Sequence, residues 1–300
     1  MKKSINLEKK KAIWGFIFTI PAIIFFAIFS FYPIINAFWT SFYKKDILSL
    51  AKPKFVGIDN YIYLFRSESF WNSLKATGIF TIGTFVPLVI VSLILAALIY
   101  SRKRFQKFFQ MAYYSPAILS SVVAATIWLL MFDPRGLANQ FLNFVLSTSG
   151  KDYQWLANEN MLRLATIIVY FWKYVGYFTV LFITGMASVP KSIYEAARID
   201  GANGWQNFIY ITLPLIKPTT LLVSVMSLTQ CLKTFSTQYL FTQSGAPQKP
   251  IDVVTLNIYT TAIRDHQIGR ASAMSVILFF IIMFLTLIQF RVSRSEEVQY

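Results

Sequence analysis

Thiol and imidazole are nearly missing from this chain of 300 residues, which has one cysteine, Cys231, and one histidine, His266. A lone cysteine closes no disulfide within the chain, and one histidine beside it supplies no zinc cluster. Acids are scarce as well, 13 Asp and Glu against 28 Lys and Arg. None of them lies well inside a long apolar run, where ionisable groups are costly and persist for function. That argues against an intramembrane proton relay and against a paired-carboxylate metal site. No nucleophile–base pair is apparent, and the Gly-rich phosphate loop of nucleotide hydrolases is missing. A membrane-embedded enzyme would need an acid-rich or histidine-rich cluster that the sequence does not contain. If energy drives this protein, another chain supplies it.

What the chain has in abundance is apolar length: 56% of its residues are hydrophobic, 17% aromatic and only 14% charged. Soluble domains carry about a quarter charged residues. A hydrocarbon core about 30 Å thick needs roughly 20 apolar residues per helix. Six stretches meet or approach that, about 12–42, 76–100, 108–132, 161–187, 219–242 and 272–291. Lipid leaves no partner for open backbone groups, so the expectation is an all-α membrane protein of six spans in one domain over 1–300. The start, MKKSINLEKKKAIWGFIFTIPAIIFFAIFSFYP, has the basic head of a secretory signal. Its apolar stretch is too long for one and lacks a small-residue cleavage site, so it reads as an uncleaved first span. The net charge of +15 does not point to nucleic acid, because the cations flank apolar runs instead of forming a solvated face.

Those cations also orient the chain. Lys2, Lys3, Lys9, Lys10, Lys11, Arg102, Lys103, Arg104, Lys107, Lys191, Arg198, Lys217, Arg291 and Arg294 fall in short segments on one side. Short basic connections stay in the cytoplasm. Both termini are therefore expected there, with 188–218, while roughly 43–75, 133–160 and 243–271 lie outside as segments rich in turn signals such as Asp133-Pro134-Arg135-Gly136.

Two lysines fall within spans, Lys173 in YFWKYVGYF and Lys233 in TQCLKTFSTQYLFT. A centred lysine costs about 2.5–3.5 kcal/mol on insertion scales, so each either faces protein or water or snorkels from a misplaced span end. Around them polar and aromatic residues recur at helical spacing: Tyr170, Lys173 or Tyr174, and Tyr177 on the fourth span, and Gln230, Thr234, Gln238 and Phe241 on the fifth. Aromatic faces with neutral amides and hydroxyls suit a sugar, which offers C–H patches to stack and hydroxyls to bond. The plainer reading of each single residue is interhelical bonding. An anionic solute such as glycerol phosphate, with Lys173 and Lys233 as its partners, is the alternative cargo.

Between the fourth and fifth spans, residues 188–201 read SVPKSIYEAARIDG. Ser192 and Glu195 have capping-box spacing, and Gly201 suits a left-handed C-cap, so a helix of two to three turns is expected with Ile193, Ala196 and Ala197 on one face. A second helix is expected from about Asn203 to Thr212, with Trp205, Phe208, Ile209 and Ile211 as its apolar surface and Leu213-Pro214 and Lys217-Pro218 turning into the fifth span. So apolar a hairpin in the cytoplasm reads either as a docking surface or as an amphipathic hairpin on the lipid interface.

The spacing Glu195-Ala196-Ala197, Gly201, Ile211, Leu213-Pro214 is similar to the EAA motif of inner permease subunits of binding-protein-dependent ABC importers. IDGA at 199–202 and ITLPL at 211–215 resemble the carbohydrate branch, with its maltose and glycerol-phosphate types, and the likeness covers nearly the whole chain. The resemblance implies a prokaryotic cytoplasmic-membrane protein that works with a second, homologous permease, two ATPase subunits that bind ATP and Mg, and an extracytoplasmic solute-binding protein delivering a sugar. It implies no catalytic residue, metal or cofactor in this chain. The helix before Gly201 would be the coupling helix. Glu195 would meet a basic residue of the ATPase cleft, Ala196, Ala197 and Gly201 would allow close packing, and Asp200 would belong to the same set. Two places depart from the family pattern: Phe235-Ser236 stands where many relatives have Phe-Asp, and SGAP at 244–247 replaces the common GGP.

Overall fold

The computed structural model describes residues 2–46, 48, 51–101, 104–148 and 150–294. Arg102 and Lys103 of the orientation argument lie outside the described residues, as do the side chains of Lys2, Lys3 and Arg294. In chain order the helices are α1 (Lys2–Phe26), α2 (Tyr32–Thr40), α3 (Asp59–Arg66), α4 (Glu68–Tyr100), α5 (Gln106–Ile118), α6 (Ser121–Met131), α7 (Leu137–Val145) and α8 (Glu159–Ala187). They continue with α9 (Lys191–Ile199), α10 (Gly204–Gln206), α11 (Leu213–Leu215), α12 (Lys217–Leu232), α13 (Ser236–Gln243), α14 (Val254–Tyr259) and α15 (Ile268–Arg294). The strands among the described residues are β1 (Tyr43–Lys44) and β2 (Lys54–Phe55), an antiparallel pair with Tyr43 opposite Phe55. The all-α expectation holds. Among the described residues four helices are long and apolar enough to cross a membrane, and six crossings result when two bent helix pairs each count as one.

Both bent pairs correct the expectation of unbroken spans. The expected third span, 108–132, is α5 and α6 at 96° to each other. Its cause is local: Leu119 and Ser120 are extended, and the Ser120 hydroxyl accepts from the Val123 N–H at 3.2 Å, starting a new helix. The expected fifth span, 219–242, is interrupted at Lys233–Phe235, and its approach bends by 70° at Ile216. Leu213-Pro214 does not make that turn. The helical run from Gly204 passes through Pro214, preceded by a π-helical stretch, Asn207–Thr212. Another π stretch, Ala27–Phe31, joins α1 to α2 just before Pro33. Wider turns of this kind relieve the carbonyls that proline leaves without a donor. The second span also begins earlier than expected, since α4 starts at Glu68, where Ser67 caps it.

By internal contacts the chain forms two units, residues 1–66 with 258–278, and residues 67–257 with 279–300. In the first, none of the described apolar side chains of α1 is buried, as suits a helix whose solvent is lipid. The hairpin and α3 are tied by Asn60, whose amide donates to the Ser41 and Tyr43 carbonyls at 2.8 and 3.1 Å. Arg270 stacks on Tyr63, 3.5 Å from the ring centre.

In the second unit α8 is the axis. Phe178 and Phe182 on α8 are fully buried with Leu88 and Ala96 of α4, Ile216, and Val223 of α12. Lipid is as apolar as leucine, so what holds these helices is close packing and hydrogen bonds across them. The Ser92 hydroxyl donates to the Val175 carbonyl at 2.9 Å, joining α4 to α8. At Gly176 the α5 backbone comes so near that an added Cβ would lie 1.8 Å from the Tyr113 carbonyl oxygen. Beyond the end of α6, Phe132 and Trp155 stack at 4.8 Å in a second apolar cluster with Leu162 and Phe241.

Candidate functional site

The unwound Lys233–Phe235 stretch opens a cavity of about 290 Å³ within the second unit. Its wall is Ser121 at the start of α6, Val169, Tyr170, Lys173 and Tyr174 of α8, Gln230 of α12, the unwound residues themselves, and Ser236 and Thr237 of α13. Backbone without helix is tolerated at membrane depth where it is buried in protein or lines a cavity. Here the Thr255 hydroxyl donates to the Thr234 carbonyl, taking up one group that the break frees.

Lys173 is the middle residue of α8, fourteen residues from either end, and it is 6% exposed. At 1.5 Å per residue that is about 21 Å of helix on each side, out of reach for snorkelling. Its Nζ donates to Ser121 Oγ at 2.7 Å and lies 5.2 Å from the Tyr174 ring centre. Tyr170 and Tyr174 form a ring pair at 4.5 Å, and Phe80 meets Tyr170 edge-on at 5.4 Å, fixing it. Lys233 is exposed on the cavity at the end of α12. Gln230 turns its amide inward, and its Oε1 is buried with no hydrogen-bond partner among the described residues.

Of the nine residues singled out by helical spacing or as lysines within spans, six meet on this cavity, Tyr170, Lys173, Tyr174, Gln230, Lys233 and Thr234, while Phe241 is buried away from it against Phe132. Tyr177 does not line it. That ring packs against Tyr114 at 6.3 Å and Phe178 at 5.1 Å. Gln238 does not line it either. Fully buried, its Oε1 accepts from the Thr234 hydroxyl at 3.1 Å, and it borders a separate crevice with Thr166 and Val253. The two departures have different origins: the break at Lys233–Phe235 changes which face of α13 continues that of α12, turning Gln238 away, whereas Tyr177 on the unbroken α8 is taken up by Tyr114. Helical spacing missed Ser121, Phe235, Ser236 and Thr237. Ser121 carried a signal, since the Ser120-Ser121 pair marks a helix start.

The other candidate region is the hairpin between α8 and α12. α9 begins at Lys191 with Pro190 as its N-cap and no side-chain cap, so the expected Ser192–Glu195 box does not form. The box sits instead on the next helix, where Asn203 and Gln206 each accept from the other's backbone N–H at 2.9 Å. The expected left-handed cap is present: Gly201 has φ +86°. The Ala202 N–H reaches the Ala197 carbonyl at 2.9 Å and the Gly201 N–H that of Arg198 at 3.2 Å, a Schellman closure. Ile193, Ala196 and Ala197 do not share one free face. Ala197 is buried, turned inward with Tyr194, whose hydroxyl meets that of Thr212 at 3.2 Å. Glu195, Ala196, Ile199 and Asp200 are exposed, Ile199 by 86%, alongside Trp205 and Tyr210. Nothing lies within 4 Å of a Cβ added at Gly201, so its glycine answers to backbone conformation.

Residues 73–297 match the family of the binding-protein-dependent transport system inner membrane component. The chain belongs to that family. As such it is an inner-membrane component crossing the bilayer several times, a transporter permease of a binding-protein-dependent system. It is 31% identical to the arabinooligosaccharides transport system permease protein AraP of Bacillus subtilis (strain 168), over 98% of this chain and 92% of that one. The sn-glycerol-3-phosphate transport system permease protein UgpA of Agrobacterium fabrum (strain C58 / ATCC 33970) is 32% identical, over 90% and 91%. The fold is that of a chain in a bacterial ABC transporter involved in the import of the acidic polysaccharide alginate, with TM-score 0.82 at 23% identity over 99% of this chain and 100% of that one.

Proposed function

We propose that this permease is one of two membrane subunits of an ATP-driven importer that carries a sugar or oligosaccharide across the cytoplasmic membrane of a prokaryote. Both units serve one permease domain, with both termini in the cytoplasm. The observation that carries the reading is the cavity at mid-helix, walled by the Tyr170–Tyr174 ring pair, hydroxyls and Gln230, whose buried acceptor has no partner among the described residues. Paired aromatic faces with neutral acceptors suit sugar rings. The names of the arabinooligosaccharide and lactose permeases among its relatives support the same class. A solute-binding protein outside delivers the cargo, and two separate ATPase subunits bind ATP and Mg.

α9 transmits the stroke. Glu195, Ala196 and Asp200 face outward on it, while Ala197 and Gly201 set its seat and its end. In proteoliposomes holding both permeases, the ATPases and the binding protein, Glu195→Lys is expected to abolish cargo-stimulated ATP hydrolysis and uptake while the membrane subunits still assemble. Unchanged uptake in that variant would refute the coupling role.

A further inference from the structure

The cavity in the second unit holds two cations and no acid. Lys173 and Lys233, 60 residues apart in sequence, stand on one wall of about 290 Å³, and no Asp or Glu is among the lining residues. Neither lysine has a carboxylate partner among the described residues, where the ion pairs are Arg163–Glu159 and Lys249–Glu68. An ammonium has three donors. Lys173 gives one to Ser121, and the ring of Tyr174 covers it at 5.2 Å.

Two like charges sharing a site repel, and the buried Lys173 has lost most of its hydration. Such a site gains most from an anion. The first residues of α13, Ser236 and Thr237, line the same space, and no side chain caps that eight-residue helix, so its positive end adds to the two lysines. The rest of the wall is not that of a simple ion site. The Tyr170–Tyr174 pair gives aromatic faces, and Gln230 Oε1 is an acceptor without a donor, which suits a hydroxyl and not an anion.

We infer that the cargo of this permease is an anionic sugar or polyol, whose carboxylate or phosphate is held by Lys173 and Lys233 while its ring or chain lies on Tyr170 and Tyr174 and a hydroxyl donates to Gln230. This rests on the permease reading and narrows its substrate class. The ammonium groups recognise charge, and the two acidic chemistries differ in the number and spread of their oxygens.

The test uses the whole importer in nanodiscs and in proteoliposomes, with three probes: trigalacturonate as the carboxylate, glycerol 3-phosphate as the phosphate and maltotriose as the neutral control. Equilibrium binding to nanodiscs without the solute-binding protein is expected to favour one anionic probe over maltotriose by tenfold or more, and to weaken as salt is raised. K173M and K233M are each expected to lower that affinity about tenfold, the weight of one charged hydrogen bond, while K173R and K233R retain most of it. If K173M fails to assemble, K173R and K233M carry the comparison. Maltotriose binding as well as both anions, or K233M binding them undiminished, would overturn the proposal. Loss of the second permease from K173M and K233M complexes, with K173R and K233R still holding it, would assign the lysines to an acidic neighbour and overturn it too. Maltotriose driving ATP hydrolysis while both anions are inert would overturn the anionic cargo and leave the carbohydrate permease standing. No response to any probe would sink both.

Discussion

Asn139 bears more of the structure than its place in a short helix suggests. It is 2% exposed, and its amide nitrogen donates to the Pro134 carbonyl at 3.0 Å and to Asp152 Oδ1 at 2.9 Å. Its oxygen accepts from Trp155 Nε1 at 2.9 Å and from the Tyr153 N–H at 3.3 Å. One side chain thus ties the turn after α6 to the segment that leads into α8. Asn139→Ala strands the buried Trp155 donor, and a stranded donor costs about 1–3 kcal/mol. A lower thermal midpoint in detergent is expected, and Asn139→Asp is not expected to restore it, because it keeps the acceptor but sets a second carboxylate against Asp152. Nothing in the sequence marks this hub: an asparagine in a polar connecting segment is ordinary, and its four partners are assembled only by the fold. Lys173 is the contrary case. Its cost in a span made it conspicuous from sequence alone, and the structure adds the partner, Ser121, 52 residues away.

Helices meet where side chains are missing. The contact of α5 with α8 depends on Gly176, since even a methyl group would overlap the Tyr113 carbonyl. Gly176→Ala must push α5 off, and overpacking of this kind costs about 1–3 kcal/mol. Reduced thermal stability is expected, together with altered uptake, because α5 leads into α6 and Ser121. Gly201 is a glycine of another kind. Its surroundings are open, so Gly201→Val carries only the strain of a left-handed β-branched residue, on the order of 1–2 kcal/mol. Expression and thermal midpoint are expected to change little in Gly201→Val, while uptake by the reconstituted importer falls as α9 loses its orientation. The end of α9 was legible because a left-handed cap selects glycine locally. Its start was not, because Ser192–Glu195 spacing fits a box whose frame is two residues late: the helix already begins at Lys191, with Pro190 as its N-cap.

At the scale of the molecule, pH acts through a buried carboxyl outside the spans. Asp252 is 7% exposed, and burial raises its pKa above the ordinary aspartate range despite hydrogen bonds from Gln248 and Asn257, both at 3.0 Å. Between the unfolded and folded values the folded chain holds a proton that the unfolded chain has released. Stability from this group therefore falls as pH rises through that window, and it is highest on the acid side. Asp252→Asn is expected to flatten that fall, read as the difference between the thermal midpoints of the two proteins from the ordinary aspartate range up to neutrality. The number of spans, the helical class and the place of the hairpin between α8 and α12 follow from the sequence itself, because lipid admits only apolar segments whose backbone is satisfied from within. The motif spacing of the hairpin is local too, set by one turn and one cap. Only the tertiary structure decided where the spans break and what gathers at the breaks. Periodicity carries a face along an unbroken helix, so Tyr177 and Gln238 are grouped with the rest until the interruption at Lys233–Phe235 turns Gln238 away and Tyr114 claims Tyr177. Two lysines on different helices share one cavity for the same reason: their meeting depends on how α8 and α12 pack, which no single helix encodes.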